Sequence, residues 1–292
     1  MDLLKRVAIL GVGRMGTAVA TELSNVGYSV TLWNRSSDSA ELLASKFPSM
    51  RVAASPVDAL HDADVAITFF VSGPATEAVI LDNPDVLNSS KESLVIVDMG
   101  TSGVDTAHRL NEAILRAGRK FVDAPVSGSV STIKNHQLLV MASGIEKDIG
   151  EIEDVLAVFS KKVVRVGDVG AGQVMKLVIN SIVHALNVAV AEGLTLASQF
   201  NLDLNSVYDV IEESVVASPY VKYKRATFLG QDPLVAMNID TVSKDMGLIL
   251  GLLQSEGLEL PLVQTVSETY SEASKAGFGG RDMASIAEFL GS

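Results

Sequence analysis

A glycine-spaced turn, Gly11-Val12-Gly13-Arg14-Met15-Gly16, lies between an apolar run at Arg6–Leu10 and a helix-patterned stretch at Met15–Val26. That placement constrains the N-terminal half more than any other feature. In a strand–turn–helix of this kind the first glycine makes the turn. The second lets the backbone approach a pyrophosphate, and the third lets the helix pack on the strand. The helix N-terminus then faces negative charge. A chain with 23 glycines can produce the spacing by accident. Here the buried strand before it, the helix after it and a second strand at Ser29–Leu32 supply the setting of a dinucleotide site.

The alternation continues to about residue 167. Asp38–Lys46 reads as helix, and Ser55-Pro56-Val57-Asp58 has the cap-then-proline form of a helix start. Val65–Phe70 and Leu94–Asp98 are near-continuous apolar runs, as in parallel strands covered on both faces. Phe121–Asp123, Leu138–Ser143 and Lys162–Val166 complete the expected strands. The pattern predicts an α/β fold with a Rossmann-like doubly wound sheet over residues 1–167.

The second strand ends in Leu32-Trp33-Asn34-Arg35-Ser36-Ser37, with no carboxylate before Asp38. A site for NAD usually places Asp or Glu here, on the adenosine ribose. A guanidinium with an amide and hydroxyls suits a 2′-phosphate instead. Asn34, Arg35 and Ser36 are therefore expected to bind NADP, with NAD as the lesser alternative. A solvated arginine in a polar turn is the plainer reading.

After Gly167-Asp-Val-Gly170-Ala-Gly172 the texture becomes all helical. One apolar-rich stretch runs from Gln173 to Ser198, about 26 residues or roughly 40 Å of helix. Leu204–Val215, Val242–Glu256 and Leu262–Ala276 follow, broken at Ser218-Pro219 and Leu260-Pro261. Residues 168–292 are expected to form an all-α substrate and oligomerisation domain, a homodimer or homotetramer covering its excess apolar surface. Within the long helix, Lys176 and Asn180 share a face because residues four apart stack. A dinucleotide site plus a lysine able to carry a proton is what hydride exchange with an alcohol requires.

Composition excludes other classes. The net charge of −12 and the lack of a Lys/Arg stripe argue against nucleic acid and anionic membrane as partners. No cysteine means no thiolate catalysis, and His61, His108, His136 and His184 have no ligand spacing, so no metal is expected. No apolar run reaches the roughly 20 residues of a membrane span. Met-Asp-Leu-Leu-Lys-Arg lacks the layout of a secretory signal, so a cytoplasmic location is expected.

Four motifs in order resemble the β-hydroxyacid dehydrogenase family, which includes 3-hydroxyisobutyrate dehydrogenase and glyoxylate/succinic semialdehyde reductases. They are Gly11–Gly16, Asp123-Ala-Pro-Val-Ser127-Gly128, Gly170-Ala-Gly-Gln-Val-Met-Lys176-Leu-Val-Ile-Asn180 and Ser243-Lys244-Asp245. The resemblance covers essentially the whole chain. It implies that Lys176 is the catalytic proton carrier for a small anionic hydroxyacid or aldehyde-acid substrate. A lysine is a poor base at its usual value of about 10.4, but burial and a neighbouring nicotinium cation disfavour its charged form. The resemblance assigns Asn180, Ser127, Gly128, Thr101 and Lys244 to substrate. It sets Val71, Ser72, Thr101, Lys244 and Asp245 along the cofactor. Simpler readings exist: a snorkelling lysine, an amide tether at Asn180, a helix cap at Thr101 and a surface pair at 244–245. His184 and Asn187, further along the same face, read as lining an inter-domain cleft or, equally well, as polar tethers in a bundle.

The chain departs from the family at Ser129, Thr132-Ile133, His136, Ser181 and Met237. These positions bear on pocket shape and leave the proposed base in place. His136 is an added cation near the expected pocket, or a turn histidine. Two further readings follow. Imine reductases resemble this architecture but usually carry Asp, Tyr or no acid where this chain has Lys176. A non-catalytic dinucleotide module would typically lack the lysine.

Overall fold

The computed structural model describes residues 5–231 and 235–291. The chain divides into two compact units, Met1–Lys176 and Leu177–Ser292. The sequence pattern changes at residue 167, yet by packing the first turn of the long helix goes with the N-terminal unit.

Among the described residues, nine strands form the first unit's sheet: β1 (Arg6–Leu10), β2 (Ser29–Trp33), β3 (Met50–Val52), β4 (Val65–Thr68), β5 (Val95–Asp98), β6 (Lys120–Asp123), β7 (Val126–Ser127), β8 (Leu138–Gly144) and β9 (Ser160–Gly167). Six of them run parallel in the order β3-β2-β1-β4-β5-β6. This is the doubly wound dinucleotide-binding order, whose switch point falls between β1 and β4. β8 then pairs antiparallel with β6 and β7, and parallel with β9. Because side chains alternate along a strand, Val7 and Ile9 enter one core with Val65, Ile67, Val95 and Val97. Ala8 and Leu10 enter the other with Ala66 and Ile96. Burial on both faces explains why these strands read as unbroken apolar runs. The short β3 and β7 were not legible in the sequence, since two or three residues carry no period.

The long helix spans Ala171–Gln199, 29 residues. By length and mean hydropathy (1.7 over its most apolar window) it is able to cross a bilayer, so the expectation that no segment reaches that threshold does not hold. Core helices pass the same test, and this one carries buried Gln173, Asn180, His184 and Asn187. The second unit continues with helices Leu204–Glu213, Pro219–Phe228, Ile239–Ser255 and Pro261–Ala273. A π turn (Ser274–Phe278) and short helical turns from Met283 to Gly291 complete it. Its core gathers Leu177, Tyr208, Val242, Met246 and Tyr270. Asn187 is a bundle tether: its amide donates to Tyr270 Oη (2.7 Å) and Met283 O (2.9 Å) and accepts from Tyr220 Oη (2.5 Å). Ser218-Pro219, expected only as a break, starts a helix, with the Ser218 hydroxyl accepting from Val221 N at 3.1 Å.

Candidate functional site

The glycine turn sits at the β1/β4 switch point. Gly11 has φ +99°, and a Cβ there would lie 2.4 Å from Phe69 O at the end of β4. A Cβ on Gly16 would lie 2.1 Å from Gly11 O. Both glycines are demanded by the protein's own packing. Gly13 is different: a Cβ there meets nothing within 4 Å, so the chain itself does not need that glycine. The first bond of the following helix is Thr17 N to Gly13 O at 2.8 Å, and the N–H groups ahead of it are the orphans of a helix start. An open backbone cradle at a helix N-terminus fits a pyrophosphate. Gly13→Ala is expected to keep the melting temperature within about 2 °C while weakening NADPH binding at least tenfold, whereas Gly16→Ala lowers stability itself. Fluorescence titration and thermal melts check this. Unchanged NADPH affinity in Gly13→Ala would remove the cradle's role.

Asn34 shapes the turn at the end of β2. Its Oδ1 accepts from Val12 N (3.1 Å) and its Nδ2 donates to Ser36 O (2.9 Å), so the amide shapes the turn. Arg35 and Ser36 are exposed beside it, as are Arg14 and Gly13, and Met15 is half-buried. Among the described residues, Arg35 makes no hydrogen bond or ion pair. Val71 is 81% exposed after β4, an apolar surface left open at the switch point. Ser72 caps the helix Gly73–Ile80, its hydroxyl accepting from Ala75 N at 3.4 Å.

A buried network joins three segments that carry candidate residues. Gln173 is its hub. Its Oε1 accepts from Ser102 N and Gly103 N (both 3.0 Å), and its Nε2 donates to Gly100 O (3.1 Å) and Asp123 Oδ1 (2.8 Å). The loop so held contains Thr101. Asp123 Oδ2 accepts from Ser143 Oγ (2.9 Å), Gln173 N (3.1 Å) and Gly170 N (3.3 Å), and Ser143 Oγ accepts from Gly172 N (3.0 Å). A Cβ on Gly172 would sit 2.7 Å from Asp123 Oδ2, so only glycine admits the carboxylate. Asp98 anchors the far side, accepting from Thr68 Oγ1 and Ser102 Oγ (both 2.6 Å). One turn into the helix, Lys176 Nζ donates to Val126 O at 2.8 Å.

Asp123 is fully buried, and burial pushes its carboxyl up to about 6. The bonds from Gln173 and Ser143 oppose that rise, while the Asp98 charge adds to it. Its contribution to stability is therefore complete below its ordinary value near 3.8 and is lost as pH rises through about 6. At neutral pH this anion works against the fold.

Ser127 is half-buried next to the lysine's carbonyl partner, and its hydroxyl makes no hydrogen bond among the described residues. Gly128 is exposed at the following turn. The departures nearby have structural uses. Thr132 Oγ1 accepts from Ser129 N (2.8 Å) and donates to Ser129 O (2.7 Å), and His136 Nδ1 lies 2.5 Å from Val158 O with its Nε2 3.8 Å from Glu22. His136 thus belongs to a turn.

The second unit holds its own polar cluster. Asn180 Nδ2 donates to Asp245 Oδ2 (2.7 Å), and Lys244 Nζ lies 2.7 Å from Asp245 Oδ1. Asp245 is 1% exposed, so this is no surface pair. Burial pushes its carboxyl up, but His184 and the Lys244 ammonium together hold it below the usual carboxylate range. His184 is fully buried, 3.9 Å from Asp245 Oδ2, with neither ring nitrogen hydrogen-bonded. That distance is too long for a hydrogen bond.

Asp98, Asp123, Ser143 and Gln173 were not singled out from the sequence. Asp123 and Gln173 stand inside quoted motifs, and a carboxylate at a strand end facing Gly-x-Gly-Gln before a helix is the signal that was available. Nothing marked Ser143.

Residues 6–167 match the model of the NAD binding domain of 6-phosphogluconate dehydrogenase. Residues 170–290 match that described as NAD-binding of NADP-dependent 3-hydroxyisobutyrate dehydrogenase. The chain is 29% identical over 282 residues to glyoxylate/succinic semialdehyde reductase 1 of Arabidopsis thaliana, covering 97% of each. It is 26% identical over 285 residues to the human cytokine-like nuclear factor N-PAC, spanning 97% of this chain but only 51% of that protein. The solved structure of a 3-hydroxyisobutyrate dehydrogenase from Salmonella typhimurium shares the fold, with TM-score 0.90, 24% identity and coverage of 98% and 99%.

Proposed function

Because the chain belongs to the β-hydroxyacid dehydrogenase family of NAD(P)-dependent oxidoreductases, we propose that it interconverts a small β-hydroxyacid and its semialdehyde or keto acid, with NADP preferred. One observation carries this reading: Lys176 Nζ sits on Val126 O, the carbonyl just before Ser127 in the chain, in a framework that also fixes the loop of Thr101. The nicotinamide, when bound, supplies or receives the hydride. The chain's own residues handle the proton and the pose. An amine that donates one N–H to a carbonyl still has a lone pair, so a neutral Lys176 can take the alcohol proton and return it in reduction. Ser127 and the backbone at Gly128 suit a substrate carboxylate, and Thr101 suits the reacting end. Asn180 lies one turn beyond Lys176, and its bond to Asp245 leaves the amide oxygen available for a substrate hydroxyl. Holding reactants in a fixed pose supplies much of the acceleration.

The NADP preference rests on Arg35, exposed at the end of β2 with hydroxyls beside it and no carboxylate before Asp38. Arg35→Ala is expected to raise KM for NADPH about 10- to 100-fold while changing KM for NADH less than threefold. Equal effects on both cofactors would remove the 2′-phosphate role.

Exposed Val178, Ile182, Leu196, Phe200 and Leu202 support self-association of the helical unit as a dimer or tetramer.

Absorbance at 340 nm tests the reaction, with NADP⁺ or NAD⁺ against short 3-hydroxyacids and NADPH or NADH against glyoxylate, succinic semialdehyde and a cyclic imine. Turnover of an acid or aldehyde acid supports the reading. Turnover of the imine alone would replace it.

A further inference from the structure

The framework around Asp123 ties together both ends of the Lys176 contact. The carboxylate stands at the end of β6, three residues before Val126, whose carbonyl receives the lysine. The same carboxylate takes Gly170 N and Gln173 N at the start of the lysine's helix, and reaches Gly172 N through Ser143 Oγ. Acceptor and donor of the Lys176–Val126 bond thus hang from one group. We propose that Asp123 is a positioning residue for Lys176: its buried carboxylate fastens the first turn of the lysine's helix to the strand end that holds the lysine's Nζ. The proposal deepens the role given above to Lys176 and rests on it.

The chemistry requires an anion at this place. Every group on the carboxylate is a donor: two backbone N–H groups and a hydroxyl on Oδ2, and the Gln173 amide on Oδ1. Gln173 cannot turn its amide over without facing its NH₂ toward Ser102 N and Gly103 N. An asparagine at position 123 therefore sets its own NH₂ against a donor in either orientation. It keeps the volume of the side chain and loses one of the two ties.

The first readout needs no turnover. The protein without cofactor is treated with trinitrobenzenesulfonate, and modification of Lys176 relative to exposed Lys275 is followed by peptide mass spectrometry. Asp123→Asn is expected to raise the Lys176/Lys275 ratio at least fivefold. A ratio within twofold of the parent overturns the proposal. In turnover, Asp123→Asn should lower kcat roughly 10- to 100-fold, as small misplacements of a reacting group do, with NADPH affinity within about twofold. Methylamine added to Lys176→Ala replaces the tethered amine by a free one, so Asp123→Asn should leave that rescued rate within twofold. A rescued rate that falls as far as the parent's would place Asp123 elsewhere in the chemistry and overturn the proposal. Ser143→Ala removes one donor from the same oxygen and serves if the asparagine variant does not fold. It should raise the labelling ratio about two- to threefold, and an unchanged ratio counts against the proposal. Full turnover by Lys176→Ala alone would defeat the role of the lysine in catalysis, while the labelling ratio still decides whether Asp123 places it.

Discussion

Lys176→Ala is expected to lower kcat by roughly 10²- to 10⁴-fold, the range over which a positioned general acid–base acts, while NADPH affinity stays within about threefold. The lysine is half-buried, its Nζ is 2.8 Å from Val126 O, and the start of its helix is tied to the loop at Gly100–Gly103 through Gln173 and to the end of β6 through Asp123. Removing the side chain beyond Cβ takes away a proton carrier and leaves those ties in place. KM for the acid should therefore move less than kcat. Steady-state kinetics at 340 nm with a fluorescence titration of NADPH separate these quantities. A kcat within threefold of the parent's would mean that another group, or water, carries the proton.

Lys224→Ala is expected to destabilise the protein by about 3–5 kcal/mol, as the loss of one partner from a buried pair does. Lys224 and Asp282 are 2% and 5% exposed, with Nζ and Oδ1 2.6 Å apart. Asp282 also accepts from Ala236 N (2.8 Å), Ala284 N (3.0 Å) and Met237 N (3.4 Å). The pair thereby joins the helix Pro219–Phe228 to the segment at 236–238 and to the turn at Met283–Ser285. Without the ammonium, a carboxylate stays in a dry place with three N–H donors and no counter-charge. Urea unfolding of the full chain measures the loss. A cycle with Asp282→Ala should show strong coupling, because the double variant no longer buries a lone charge. A loss below about 1 kcal/mol would show that water reaches the site.

Legibility in the sequence followed period and spacing. β1, β4 and β5 were readable because both faces of those strands are buried, which turns three or four consecutive positions apolar. The long helix was readable because 29 residues hold no proline. The helix Pro219–Phe228 is not legible in the sequence: Tyr220, Lys222, Tyr223, Lys224 and Arg225 hide its period, and Ser218-Pro219 reads there only as a break. In the candidate site, the glycine turn and Lys176 stood out by motif. Asn34 reads from the sequence as an amide beside Arg35 suited to the cofactor, and only the fold shows that it also closes the turn through Val12 N. Asp123 and Gln173 were in view as letters, but their bonds span 50 residues of chain.

By itself the sequence determined what depends on neighbours along the chain. Alternation of strands and helices required a doubly wound sheet, the glycine spacing set a dinucleotide turn at the end of β1, and the i, i+4 relation put Lys176 and Asn180 on one helix face. Only the tertiary structure decided which polar groups are buried together. It joined Asp98, Asp123, Ser143 and Gln173 around the start of the lysine's helix, and it sealed Lys224 against Asp282. The reason is physical. Local periodicity records which side of an element is dry, but a buried carboxylate or ammonium is tolerable only when donors or a counter-charge from distant segments meet it. Those meetings are set by how the elements pack, and no stretch of neighbouring residues encodes them.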